Sequence, residues 1–115
     1  MSKYAPLLEA LTRLRGIRGA MVVEAADGLV VAESLMGGLK GTALAAMAAN
    51  IATRATDLAG GAAVGAPRFV HLQATDGALL VAPAGSNLVL VAVASRDVPL
   101  GLLRLEMLRM AERLS

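Results

Sequence analysis

Apolar residues recur along this chain with two different periods, and the switches between the periods mark out its elements. Over residues 4–14, Leu7, Leu11 and Leu14 fall at i, i+4 and i+7, with Leu8 beside them and Glu9, Thr12 and Arg13 opposite. That spacing predicts an amphipathic helix ended by Gly16. Residues 20–24 and 29–34 are short β-branched runs on either side of Ala25-Ala26-Asp27-Gly28, the pattern of a hairpin. From residue 39 to 59 the period lengthens again, placing Leu44, Met47, Ala48, Ile51, Ala55 and Leu58 at spacings of three and four in an alanine-rich stretch. A helix of about five turns follows, closed by Gly60 and Gly61. No charge falls between Thr42 and Thr53, so the helix is expected to be buried on more than one side.

A second pair of runs, residues 67–73 and 78–82, flanks the turn Ala74-Thr75-Asp76-Gly77. The two Asp-Gly turns read as one local turn chemistry used twice, not as a solenoid repeat. Residues 88–94 are apolar at nearly every position, as expected of a strand in the middle of a sheet. Asp97-Val98-Pro99 reads as the N-cap and first-turn proline of a last helix running to Leu114 through Leu100, Leu103, Met107 and Met110. The two methionines, at helical spacing with leucines, are read as core. The order is α-β-β-α-β-β-β-α. The expected fold class is α+β, an antiparallel five-stranded sheet with a long helix and terminal helices packed on it.

Composition sharpens this picture. The 115 residues suit one domain, taken as 1–115. With 57% hydrophobic residues but one Phe, one Tyr and no Trp, the core must be aliphatic and rich in alanine. Such a core buries little area per side chain and favours further burial against a second copy of the chain. Eleven Lys and Arg against nine Asp and Glu leave a net charge of +2, and no two bases are adjacent. That is a poor footprint for a polyanion, and Phe69 alone could stack a base, so no nucleic-acid partner is expected. The absence of cysteine excludes disulfides, thiolate metal sites and cysteine nucleophiles and fits a cytoplasmic location. Lys3, Glu9 and Arg13 interrupt the N-terminal apolar residues, unlike a signal peptide. Pro83, Gly85, Ser86 and Asn87 break the uncharged stretch 77–95 into two strands, so no membrane insertion is expected.

No catalytic constellation emerges, and no cofactor or metal is expected. Gly37-Gly38-Leu39-Lys40-Gly41-Thr42 precedes a helix, but a phosphate loop requires the lysine to be followed directly by Ser or Thr. Gly60, Gly61 and Gly65 follow a helix where a dinucleotide fingerprint must follow a strand. His71 is the one histidine, sharing a strand face with Phe69 and Gln73, with no carboxylate nearer in sequence than Asp76; it reads as an ordinary strand residue. Ser34, Ser86 and Ser95 lie outside any nucleophile elbow. Asp27 and Asp76 each precede a turn glycine, which accounts for both.

The element order, together with Gly19-Ala20-Met21-Val22-Val23 leading into Ala26-Asp27-Gly28-Leu29-Val30-Val31-Ala32, resembles the Roadblock/dynein light chain family. Pro99-Leu100-Gly101-Leu102-Leu103-Arg104 is similar to that family's Gly-Leu-Leu-Arg entry into its terminal helix. The resemblance implies a non-catalytic module. Prokaryotic members act beside small Ras-like GTPases, a gliding-motility regulator that stimulates its GTPase among them. It also implies a homodimer in which the long helix and the third strand meet their copies. The residues assigned to that interface are Leu44, Met47, Ala48, Ile51, Ala55, Leu58, Val70 and Leu72. Independently of the resemblance, strand 67–73 opens with Pro67 and carries no charge between Arg68 and Asp76, leaving an unprotected sheet edge. The chain runs to Ser115, about the end of the terminal helix, without the gliding regulator's tail, and no arginine stands out as a finger: Arg13, Arg15, Arg18, Arg54 and Arg68 read as solvated charge. The functional expectation is a homodimeric scaffold binding a small Ras-like GTPase or a GTPase-containing assembly. A small-molecule-sensing domain is the alternative, and a small enzyme is disfavoured by the missing acid–base pairs.

Overall fold

The computed structural model describes residues 3–114; Met1, Ser2 and Ser115, parts of the expected 1–115 domain, lie outside the described residues. The elements follow the expected order: α1 (Ala5–Thr12), β1 (Ile17–Glu24), β2 (Leu29–Leu35), α2 (Gly41–Gly61), β3 (Val70–Ala74), β4 (Gly77–Ala84), β5 (Leu88–Ser95) and α3 (Leu100–Arg113). The strands form one antiparallel sheet in the order β2-β1-β5-β4-β3. β5 is central, as its unbroken apolar run demands, because a strand covered on both faces has no side for polar residues.

Alternation along the strands divides the core between two faces. Ile17, Ala20 and Val22 of β1 turn toward α1 and α3, where they pack with Leu8, Leu11, Leu103 and Met107. Met21 and Val23 turn the other way, against Ala45, Ala48, Ala49 and Ala52 of α2. Met107 and Met110 are buried, as their spacing with leucines requires. Alanines on the inner face of α2 let the helix lie close on the sheet, and Gly28 of the first turn accommodates the Ala46 backbone.

Several boundaries and turns differ from the sequence reading, each for a local reason. The first strand begins at Ile17 instead of residue 20, because Ile17 pairs with Ala94 across an irregularity at Arg18. The third begins at Val70, leaving Pro67, Arg68 and Phe69 outside the ladder. Gly60 and Gly61 do not stop α2; both lie within it. The helix ends one step later in a Schellman motif, with Val64 N–H donating to Ala59 C=O and Ala63 N–H to Gly60 C=O, both at 3.1 Å. The left-handed position is Ala63, at φ 58°. Asp97 does not cap α3: the N-cap residue is Pro99 and no side chain caps it. Asp97 instead accepts a hydrogen bond from Ser95 Oγ.

The two Asp-Gly turns are also not one structure. In the first, Gly28 takes φ 66° and closes a four-residue loop by donating its N–H to Glu24 C=O at 2.8 Å. In the second, Thr75 and Asp76 form the loop and Gly77 is already paired with Ala74 in the ladder. Gly77 is needed for space, since a Cβ there would run into the Ala94 carbonyl of β5.

Candidate functional site

The long helix carries two apolar stripes, and only one of them is covered. Ala45, Ala48, Ala49 and Ala52 are buried against the sheet. One flank over, the larger side chains remain in solvent: Met47 is 58% exposed, Ile51 39% and Leu58 75%. Burial on more than one side, expected from the uncharged stretch 42–53, is thus not achieved within one chain. Leu44 is half-buried on the same flank.

Beside this flank the sheet is bare. β3 is an edge strand, and its Val70 and Leu72 face the α2 side while His71 and Gln73 face the other. Leu44, Met47, Ala48 and Ile51 of α2 and Val70 and Leu72 of β3 converge on one apolar groove of about 90 Å³. Six of the eight residues assigned to an interface from the sequence therefore line a single feature. Ala55 and Leu58 do not line it, although their spacing keeps them on the same flank of α2. Ala48 is already 8% exposed in its own core and has little more area to lose. The floor, Leu79, Val81 and Val91, was not singled out from the sequence; strand alternation groups it with Val70 and Leu72, but only the pairing of β3 with β4 and of β4 with β5 brings it there.

The two sheet edges differ in protection. β2 is kinked by a bulge at Val31, between the pairs Val22–Ala32 and Val23–Val30, and carries Glu33, whose carboxylate sits beside Gly41 at the N-terminus of α2, where negative charge is favoured. β3 pairs regularly with β4 through all five residues and bears neither bulge nor charge. Bulges and charges are the usual defences of a free edge, and β3 has none.

Elsewhere among the described residues the polar side chains pair locally. His71 Nε2 lies 2.9 Å from Gln73 Oε1, so its partner is an amide and not a carboxylate. Among the described residues no group of three or more His, Cys, Asp or Glu could hold a metal ion. Glu24 is held above the usual carboxylate range, first by a hydrogen bond shared with Asp27 and then by partial desolvation and the Asp27 charge. Asp97 is held below that range, chiefly by the Ser95 hydroxyl, with a backbone N–H and the Arg15 charge assisting. Glu24 ends β1 beside the first turn, and Asp97 lies in the turn after β5. No helix among the described residues is long and apolar enough to cross a membrane.

Comparison with known proteins agrees with this architecture. Residues 3–94 match the Roadblock/LC7 domain family. An uncharacterized protein of Methanocaldococcus jannaschii, MJ1340, is 35% identical over 108 residues, covering 94% of this chain and 92% of its own. The Roadblock/LC7 domain from Streptomyces avermitilis superposes with a TM-score of 0.87 over 97% of this chain and 94% of that one, at 23% identity. The gliding protein MglB from Thermus thermophilus gives 0.83 over 95% and 83%, at 26% identity. On the strength of its element order, its sheet topology and these matches, the chain belongs to the Roadblock/LC7 domain family.

Proposed function

We propose that this protein is a non-catalytic homodimeric scaffold that binds and regulates a small Ras-like GTPase or a GTPase-containing signalling assembly. The carrying observation is the apolar groove between α2 and β3, continuous with an edge strand that has no protection. Pairing β3 with its copy extends the sheet across two subunits and brings the exposed flanks of the two α2 helices together. Burying a fully exposed large apolar side chain contributes about 1.5–3 kcal/mol, and Met47, Ile51, Leu58 and Leu72 have 58, 39, 75 and 41% of their surface left to bury. Two-fold symmetry counts each of them twice, which brings the gain into the range of an association cost of about 4–15 kcal/mol. The GTPase partner rests on family membership and on the likeness to a gliding protein. The sensing alternative finds less support in this groove: ligand pockets usually run to about 300–1,000 Å³ with a few convergent polar groups, whereas the groove is about 90 Å³ and apolar.

The test is molar mass in solution by size-exclusion chromatography with light scattering, on wild type and on Ile51→Glu. Ile51 is already 39% exposed, so the substitution is tolerated by the single chain and circular dichroism should be unchanged. A wild-type dimer that the variant breaks is expected. Purified small GTPases of the same organism, loaded with GDP or GTP, should then be retained by wild type and lost with Ile51→Glu. A monomeric wild type would overturn the dimer, and a dimer that retains no GTPase in either state would overturn the partner.

A further inference from the structure

The polar face of β3 holds an imidazole that is prepared for more than a strand position requires. Gln73 donates through Nε2 to the carbonyls of Ala74 and Gly77, each at 3.3 Å. Those two acceptors fix which way the amide points, since only its nitrogen can donate. Its oxygen therefore faces His71 Nε2 at 2.9 Å, so that ring nitrogen carries the proton and donates. The lone pair of Nδ1 is left available. An imidazole whose second nitrogen donates to a carbonyl is the usual arrangement of a histidine that binds a metal, because the hydrogen bond sets both tautomer and ring orientation.

One such histidine makes no site, but the dimer proposed above supplies a second. All five residues of β3 pair with the same five of another copy only if the two-fold axis passes through Leu72. The loop Thr75-Asp76 is closed by the pair Ala74–Gly77, so alternation directs the backbone groups of His71 and Gln73 toward the free edge, as that register needs. His71 then stands opposite the partner's Gln73, and the two imidazoles lie on one diagonal of the same exposed face. Diagonal neighbours are about 7–8 Å apart, so two imidazoles leaning toward each other bring their Nδ1 atoms within the roughly 4 Å that two metal–nitrogen bonds of about 2.0–2.1 Å span.

We propose that the paired β3 strands form a two-histidine site for a borderline divalent cation of the Zn²⁺ class, ligated by Nδ1 of His71 from each subunit. Neutral imidazole suits Zn²⁺, Cu²⁺ and Ni²⁺, and solvent completes the coordination sphere on this open face. The ion would tie the two subunits together at the seam. This inference rests on the dimer, and its test separates the two.

The measurement is calorimetric titration of the full chain with ZnCl₂ at neutral pH, alongside the dimer dissociation constant with and without the metal. One Zn²⁺ per two chains is expected, with the dimer tightened by about tenfold or more at saturation. His71→Ala should remain a metal-free dimer and lose both effects. Gln73→Leu, which keeps the ligand but removes its hydrogen-bond partner, should weaken binding by about tenfold or more. A dimeric wild type that binds Zn²⁺ no better than His71→Ala would overturn the metal site and leave the dimer standing. A monomeric wild type would overturn both.

Discussion

Ala63 is the single non-glycine residue with positive φ among the described residues, and it sits where a helix terminus most favours glycine. A left-handed residue with a Cβ costs about 1–2 kcal/mol, offset in part by the extra freedom glycine has when unfolded. Ala63→Gly should therefore raise stability by up to about 1 kcal/mol in urea denaturation. Gly77→Ala should go the other way by about 1–3 kcal/mol, because its Cβ meets the Ala94 carbonyl of the neighbouring strand, which cannot give way. The sequence marks both turns with Asp-Gly, and only the packing of β4 against β5 distinguishes a glycine needed for its φ from one needed for its size. Asp97 carries a third prediction. Its carboxyl lies below its ordinary value of 3.8 through the Ser95 hydroxyl, so its contribution to stability is present above that value and is lost as pH falls through the lowered one. In a carbon-detected NMR titration, Ser95→Ala should move the Asp97 midpoint upward toward the ordinary value. An unchanged midpoint would mean that the backbone N–H and the Arg15 charge, not the hydroxyl, hold it down.

At the scale of elements, type and order were legible because each run of apolar residues keeps one period long enough to exclude the other. The centrality of β5 was legible too, from the lack of any polar position between residues 88 and 94. What periodicity does not carry is phase. In α2 it aligns Leu44, Met47, Ile51 and Leu58 on one flank but does not say that this flank lies beside the helix's contact with the sheet and not within it. Packing decides that: the small Ala45, Ala48, Ala49 and Ala52 let α2 approach Met21, Val23 and Val91 closely, and the larger side chains are displaced to the side. The ends of helices were the least legible. Gly60 and Gly61 are plausible stops for α2, yet both are its last helical residues, and the hydrogen bonds from Ala63 and Val64 end it just beyond them. Asp97 is a plausible cap for α3, yet Ser95 engages it first. In each case two local solutions compete within a few residues, and tertiary contacts choose between them.

For the whole molecule, the folded chain closes its core on both faces of the sheet while leaving one groove and one edge unfinished, and this makes stability a test of assembly. If two chains fold and unfold as one unit, mass action requires the melting temperature to rise with protein concentration, whereas a monomer melts at the same temperature throughout. An unfolding entropy of about 2.1 cal/mol/K per residue, applied to both chains, gives a rise of about 6 °C over a hundredfold range of concentration. Leu72, 41% exposed on the edge strand, is the position at which to remove that dependence. Leu72→Lys puts a charge of the kind that protects natural edges in the middle of β3, so its melting temperature should be lower and independent of concentration. Leu105→Lys on α3 is the matched control, since Leu105 is 45% exposed on the face away from the groove, and it should keep the wild-type slope. If both variants lose the slope, exposed leucine in general and not the β3 edge drives association. If wild type itself shows none, the groove beside α2 is not where two chains meet.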